Sequence, residues 1–550
     1  MEAASWVAIQ VLTPPTNGPN TTELAIWRPP TEHGSDTSRR KREKAQLVRK
    51  ILKKMNRITA RRVIVNIPAL KWAQKTLCSG TSAKLPGTNG NPVIRDTVDK
   101  NGFNNNLPVH DVAIVGGGMV GMALACSLAH QPLTRQLNIA IIDSNPALLS
   151  GSCIKKEDAP DPRVSTVTPA SICFFKDIGA WKYVEQNRHA YFDKMQVWDY
   201  SGLGYTRYSA RDINKEVLGC VVENKVLHQS LLSSLQDAAF LQKIYPDRLS
   251  SITMQPSSSS SPHGSLVKLE LSDGNSLYAK LVVGADGSKS RVKELAAINS
   301  TRWKYSQNAI ICIVEHTEEN RCAWQRFLPN GPIALLPTGD KFSNIVWTMN
   351  PEESSNRKSM SESDFLMEVN RALDNGYSHH PKSRLSGPFS WLTADTTPSA
   401  SECFVVPPKV TKLASERMVF PLSLHHANSY ASNRVVLIGD AAHTVHPLAG
   451  QGVNMGFGDA LCLSKVIAEG IAVGYDIGEL TLLRRYESER KPANLAMMAI
   501  LDGFQKAYSV DFGPFNALRA AAFQGANFIS PLKRYIISYA SGEQRFPLFA

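Results

Sequence analysis

Three groups of residues in this chain have the types and spacing to hold an extended, charged ligand. The first is Gly116-Gly117-Gly118-Met119-Val120-Gly121, directly after the apolar run that ends at Val115. In a G-x-G-x-x-G pattern of this kind Gly116 makes the turn, Gly118 lets the backbone approach a pyrophosphate, and Gly121 lets helix pack on strand. The second group is Asp143, Asp286 and Asp440, each at the end of a short apolar run. Asp143 lies 22 residues beyond Gly121, near the spacing at which an acid meets the ribose of adenosine. Asp286-Gly287 follows Lys280–Val283, and Gly439-Asp440 follows Val435–Ile438. The third group is Gly450-Gln451-Gly452, where a helix is expected to start. Its backbone N–H groups can approach a flat, electron-rich ligand, and the helix dipole favours negative charge there. A carboxylate for sugar-like hydroxyls beside amides for an anionic ring edge suggests a flavin, and three strand-end acids with a phosphate loop can hold an extended dinucleotide along its length.

Positioning these groups requires a parallel sheet whose strands end on one edge. The pattern therefore predicts an α/β protein with a Rossmann-like FAD-binding domain in two parts, 109–301 and 419–480. An inserted β-sheet substrate domain is expected over 302–418 and C-terminal helices over 481–550. Asp111–Val115 reads as a buried parallel strand and MALACSLAH as the helix after it. A loop containing Asp161-Pro162-Arg163-Val164-Ser165 precedes a helix-like stretch through Trp181, and Arg163 could fold back over phosphate or ribityl oxygens. Strands are expected in Leu249–Leu277 around the serine-rich insert Gln255–Pro262, a solvated loop tip. In the inserted domain they are expected at Asn308–Glu315, Ile333–Leu336 and Ser343–Thr348, with a helix at Glu362–Leu373. Trp324, Arg326, Phe327 and Trp347 are the candidates to line a substrate pocket. Phe515–Tyr539 has bulky apolar residues with Arg519, Lys533 and Arg534, which suits either a membrane surface or a cap on the fold.

At 550 residues the chain can bury a full core without disulfides or metal. The nine cysteines are scattered with no CxxC pair, which argues for a reducing compartment and against a zinc site. No run of about 18 uncharged apolar residues exists. Residues 1–108 carry 18 Lys and Arg against 7 Asp and Glu, so of the net charge of +13 only +2 belongs to the rest. The body is thus nearly neutral and gives no nucleic-acid signal. Residues 1–54 read as a disordered basic extension and 55–108 as a mitochondrial presequence and linker, basic and hydroxylated, with no acid from Met55 to Lys84. The other reading of this segment is a basic arm that touches nucleic acid. His443-x-x-His446 lacks i, i+4 spacing and a third ligand, so no metal is expected there, although either histidine can help ionise a phenol.

Further stretches carry a family likeness. Asp161-Pro162-Arg163, Trp303-Lys304-Tyr305 with Gln307, Arg326–Pro329 followed by Gly331–Pro337, Val346-Trp347, and His446-Pro447-Leu448-Ala449-Gly450-Gln451-Gly452-Val453-Asn454 join the glycine and Asp-Gly motifs in this order. Together they resemble the class A flavoprotein aromatic hydroxylases, and within them the mitochondrial ubiquinone-biosynthesis monooxygenases. The resemblance implies FAD as cofactor, with Gly116, Gly118, Gly121 and Asp143 on its ADP half and Arg163, Asp286 and Gly287 at its middle. Gly439 and Asp440 would hold the ribityl chain, and the backbone of Gly450, Gln451, Gly452, Val453 and Asn454 would face the ring. Pro447, Gln451 and Gly452 would lie nearest the reacting position, and no acid or base is named. It further implies hydroxylation of C5 on a polyprenylated 4-hydroxybenzoate-derived phenol by O₂, through a flavin C4a-hydroperoxide. Electrons would come from a ferredoxin and its reductase. Other coenzyme Q biosynthesis proteins would form a complex with the chain, in peripheral contact with the matrix face of the inner mitochondrial membrane. Lys293 stands where the family's Asp-Gly motif usually ends in Arg, which counts against direct use of NADPH. A flavin-binding scaffold without turnover and a prenyl-chain reductase or epoxidase of the same fold are the alternatives.

Overall fold

The computed structural model describes residues 107–149, 154–202, 204–237, 242–255, 265–374, 404–446, 450–509 and 513–542. The expected basic extension, the presequence, Pro447 and nearly all of the serine-rich insert lie outside the described residues.

Strand β1 (Val109–Val115) runs through the glycine turn into α1 (Met119–His130), and the chain returns as β2 (Ile139–Ile142), parallel to β1. Helix α1 is apolar nearly all round, as befits a buried helix, with Gly121 to Ala129 inside the protein. One buried hydroxyl on it, Ser127, is satisfied by Ser464 at 2.7 Å. Next come β3 (Val164–Val167), α2 (Pro169–Asp177), α3 (Trp181–Glu185), β4 (His189–Phe192), β5 (Lys194–Asp199), β6 (Tyr205–Ser209), β7 (Gly219–Glu223) and α4 (Asn224–Asp237). A strand, β3, thus stands where the loop was expected to pass directly into helix. It pairs antiparallel with β7, and β4 completes this small sheet.

Strand β8 (Gln242–Tyr245) extends the first sheet, and β9 (Leu249–Met254) and β10 (Val267–Leu271) lead to β11 (Ser276–Gly284), parallel to β1. After α5 (Arg291–Leu295) the second sheet is built by β12 (Ser300–His316), β13 (Cys322–Leu328), β14 (Gly331–Gly339) and β15 (Phe342–Met349). Helices α6 (Pro351–Ser359) and α7 (Glu362–Leu373) follow. Helix α7 forms because Ser361 caps its Asp364 N–H and because Phe365, Val369, Ala372 and Leu373 fall on one face.

Strands β16 (Val410–Leu413), β17 (Met418–Ala427), β18 (Ala431–Ser432), β19 (Val435–Leu437) and β20 (His443–Thr444) precede α8 (Gln451–Ala472), α9 (Leu480–Ser509), α10 (Gly513–Phe528) and α11 (Ser530–Ala540). The first sheet runs β18-β19-β11-β1-β2-β8, and β19, β11, β1, β2 and β8 are parallel neighbours. The continuous apolar runs of β19, β11, β1 and β2 reflect burial on both faces, whereas β8 (Gln242-Lys243-Ile244-Tyr245) is a partly exposed edge strand.

The second sheet runs β20-β17-β12-β15-β14-β13-β5-β6 and does not respect the expected 302–418 limits. Strand β5 joins it parallel to β13, with Lys194 opposite Cys322, and β17 lies antiparallel to β12, with Ala427 opposite Ser300. Strand membership depends on hydrogen bonds to distant segments, so the composition of each segment does not disclose it. No helix among the described residues is long and apolar enough to cross a membrane.

Candidate functional site

The parallel register brings four chain turns to one edge. Gly116 N–H donates to Ile142 O at 2.9 Å, Ala285 N–H to Val115 O at 2.7 Å, and Ile438 N–H to Gly284 O at 3.0 Å. The glycine loop, Asp143, Asp286 and Asp440 therefore line one sheet edge, the place where open α/β sheets bind ligands. Gly116 has φ +106°, and a Cβ there would lie 2.3 Å from Ala285 O. The loop is braced from two sides, by Asp143, whose Oδ2 accepts from Gly117 N–H at 2.7 Å, and by His228, whose Nε2 lies 2.7 Å from Gly117 O. Nothing in its own neighbourhood announces His228, which reaches the loop from α4.

Three features fit FAD. A Cβ on Gly118 would meet nothing within 4 Å, so packing within the protein does not require a glycine there, whereas close approach of a pyrophosphate does. Asp286 Oδ2 caps α5 by accepting from Arg291 N–H at 2.6 Å and Val292 N–H at 3.1 Å, but its buried Oδ1 has no partner. A buried carboxylate oxygen without a donor calls for a hydroxyl. Helix α8 starts at Gly450 (φ +59°) with no side-chain cap and no acid in its first turn, which leaves backbone N–H donors for an electron-rich ring edge. Among the described residues, a Cβ on Gly452 would touch only Val445, at 3.6 Å.

The side chains of that turn point elsewhere. Gln451 donates to Ala540 O at 3.2 Å, and Asn454 clamps α8 to β3 by donating to Thr166 O at 2.7 Å and accepting from Thr168 N–H at 3.1 Å. Any role of Gln451 and Asn454 toward the ring thus falls to their backbone. Arg163 is held in an exposed loop by Asp161, at 2.9 and 3.1 Å, and no contact joins it to Asp286.

Asp440 faces solvent at the sheet edge, yet enough protein surrounds it that burial lifts its carboxyl above the usual range, against the pull of His443 and Lys293. Behind it sits Asp459 of α8, fully buried. Its oxygens accept from Gly439 N–H at 3.0 Å, His443 Nε2 at 2.5 Å, Arg490 Nε at 2.8 Å and Asn494 Nδ2 at 3.0 Å. This hub fixes the turn that presents Asp440. The sequence signal for it was present in the form of a lone acid inside the small and apolar run Gly456–Ser464.

Lys293, the departure from the family motif, is buried. Its Nζ donates to His425 Nε2 at 2.9 Å and Ala441 O at 3.2 Å. Burial, and then Arg302, lower its pKa to about 8, opposed by Asp286 and Asp440. An unfolded lysine titrates near 10.4, so between about pH 8 and 10 the unfolded chain binds the extra proton and stability rises with pH. The unfolding free energy, read from denaturant titrations across that window, should climb by on the order of 3 kcal/mol more in wild type than in Lys293→Met. Parallel profiles would count against a buried ammonium.

In the second sheet, Trp324 and Trp347 are packed with Phe365 and Val369 of α7, and Arg326 donates to Ala372 O, so Trp324 and Arg326 serve the core, while Trp347 also lines a small cavity with Leu328, Met349 and Arg357. Phe327, on the opposite face of β13, stacks on Tyr508 at 3.7 Å and joins Leu424, Val445 and Met455. Trp303 and Tyr305 pack against the same cluster, which borders the Gly450–Gly452 turn through Val445. Among the described residues no group of three or more potential metal ligands occurs.

Residues 400–500 match the family described as FAD binding domain. Over 443 residues the chain is 36% identical to the mitochondrial ubiquinone biosynthesis monooxygenase COQ6 of Xenopus tropicalis, covering 79% of this chain and 93% of that protein. The chain belongs to the COQ6 family of ubiquinone biosynthesis monooxygenases. Its similarity to the Homo sapiens COQ6 protein is 35% over 441 residues, 79% of this chain and 92% of the other. The COQ6-family fold is shared with p-nitrophenol 4-monooxygenase of Pseudomonas putida, at TM-score 0.57, 16% identity and coverage of 80% of this chain and 100% of that one. It is also shared with a probable FAD-dependent monooxygenase of Pseudomonas aeruginosa, at TM-score 0.56, 19% identity and coverage of 76% and 99%. As a COQ6-family member the protein is an FAD-dependent monooxygenase, and the sheet edge described above has the features FAD requires.

Proposed function

We propose that this protein hydroxylates C5 of the aromatic ring of a polyprenylated 4-hydroxybenzoate-derived phenol during ubiquinone biosynthesis. The observation that carries this reading is the adjacency of two unlike surfaces. An uncapped helix start suited to a flavin ring lies against an apolar cluster of Trp303, Tyr305, Phe327, Leu424, Val445 and Met455. Such a cluster suits a prenylated ring and excludes water from it. Bound FAD, once reduced, supplies the oxygen-transfer chemistry with O₂.

The chain's own residues do the rest. The glycine loop and Asp143 would hold the ADP half, Asp286 Oδ1 and Asp440 would receive hydroxyls, and the first N–H groups of α8 would accommodate negative charge on the ring. The Asp459 hub keeps the Asp440 turn in place while the apolar cluster shields the reacting ring.

Electron delivery by a ferredoxin and its reductase is supported by the internal engagement of Lys293, which leaves no cation at that motif position for a nicotinamide phosphate. A mitochondrial address is supported by the relatives, which are named mitochondrial, and a position on the matrix face of the inner membrane belongs to the same proposal. Exposed Phe504, Leu518 and Ile529 support peripheral lipid contact, and association with other quinone-synthesis proteins belongs to the same reading.

The decisive experiment is mass spectrometry of the quinone precursor that accumulates in cells lacking the protein. The expected species carries its full prenyl chain and lacks the C5 hydroxyl. A precursor altered in its tail, or normal quinone levels, would refute the proposal.

A further inference from the structure

His446 lies beside the apolar cluster and is 1% exposed, yet among the described residues neither of its ring nitrogens has a hydrogen-bond partner. His425, His426, His443 and His316 are also buried, but each uses its Nε2, with Lys293, Tyr430, Asp459 and Ser343 respectively. Leaving both nitrogens of a buried imidazole empty is costly unless a ligand completes them. The ring is also held in one orientation. Tyr305 of β12 packs edge-on against it at 5.2 Å, and Tyr305 is anchored by donating its hydroxyl to Asp502 of α9 at 2.9 Å. Its neighbour Val445 is the residue closest to the open side of Gly452. A buried, unpartnered imidazole therefore adjoins Tyr305 of the second sheet and follows directly on Val445, which borders the Gly452 turn.

We infer that His446 is the substrate-positioning residue that accepts a hydrogen bond from the ring hydroxyl of the phenol. This inference rests on the reaction proposed above and names the group that recognises its substrate. Burial pushes the imidazole down to about 4, against the pull of Asp502, so at neutral pH it is uncharged and has one nitrogen free to accept. A hydrogen bond at the ring oxygen, one carbon away from the position to be hydroxylated, fixes which carbon meets the oxygen donor.

The test uses the full-length FAD-loaded protein and two probes, a 4-hydroxybenzoate carrying a ten-carbon prenyl chain and its 4-methoxy ether. Binding is read from the perturbation of the flavin absorbance. Wild type should prefer the phenol, and His446→Leu should weaken phenol binding about tenfold while leaving the ether unchanged. His446→Gln, which retains an acceptor, should recover part of the preference, and it also serves as the second variant should the leucine protein fail to hold FAD. Unchanged discrimination in His446→Leu, or in His446→Phe where Leu fails, overturns the inference and leaves the proposed reaction standing. Failure of wild type to bind either probe overturns both.

Discussion

Gly118→Ala will yield a protein that folds like wild type but is purified without most of its yellow cofactor, whereas Gly121→Ala, three residues away, will be unstable before any cofactor is added. At Gly118 the backbone has φ −70°, which alanine adopts freely, and the added methyl enters open space. The apoprotein should therefore lose no more than about 0.5 kcal/mol. With the pyrophosphate placed over this loop as proposed, the same methyl would occupy its approach, and the lost backbone contacts should weaken FAD binding roughly 10- to 100-fold. At Gly121 the added Cβ would lie 2.0 Å from Gly116 O and 3.2 Å from the Ala285 methyl. Backbone there cannot yield cheaply, so the apoprotein should lose about 3 kcal/mol or more. Urea denaturation of the apoproteins and titration with FAD separate the two effects. Wild-type FAD affinity in Gly118→Ala would remove the pyrophosphate from this loop.

Asp459→Asn should be the most destabilising conservative substitution in the molecule. It takes the charge from a fully buried carboxylate between Arg490 and His443, and breaking such a pair costs about 3–5 kcal/mol. It also places an amide where Gly439 N–H or His443 needs an acceptor, so the Asp440 turn should loosen and retained FAD should fall.

Acidity offers a second readout. Burial opposes the charged form of Asp459, but His443 and Arg490 outweigh it and hold the carboxyl well below the usual carboxylate range. An Asp with a depressed folded pKa contributes stability above its unfolded value near 3.9 and loses it as pH falls through the folded value. The gap in unfolding free energy between wild type and Asp459→Asn should therefore stay constant from neutrality to about pH 5 and narrow only below about pH 4. A gap that closes near pH 6 would mean that the carboxylate is not the source of the effect.

The strongest local signals were turns with one stereochemical solution. The strand ends at the glycine loop, Asp143, Asp286 and Asp440 could be read directly because a parallel strand announces itself by an apolar run, and three of the four turns carry a glycine that permits positive φ, Gly116, Gly287 and Gly439. Helix α7 was legible to the residue because its cap and its apolar face agree. Arg163 pairs with Asp161, two positions away, and its side chain is 60% exposed, an arrangement that the isolated residue type did not disclose.

What the sequence determined by itself, then, is the set of turns at one sheet edge: local backbone geometry dictates where glycines, strand-end acids and an uncapped helix start must stand. What only the tertiary structure decided is everything that depends on which distant segment lies alongside. Strands β5, β6 and β17 belong to the second sheet through their pairing partners, not through their composition. Trp324 turns to α7 and Phe327 to the cluster beside the helix start because strand residues an odd number of positions apart face opposite ways, and only packing settles which face is which. Asp459 became a hub, and His446 an imidazole with both nitrogens empty, through contacts between segments far apart in the chain. Burial and partnership are properties of the folded neighbourhood, and no residue carries them in its own type.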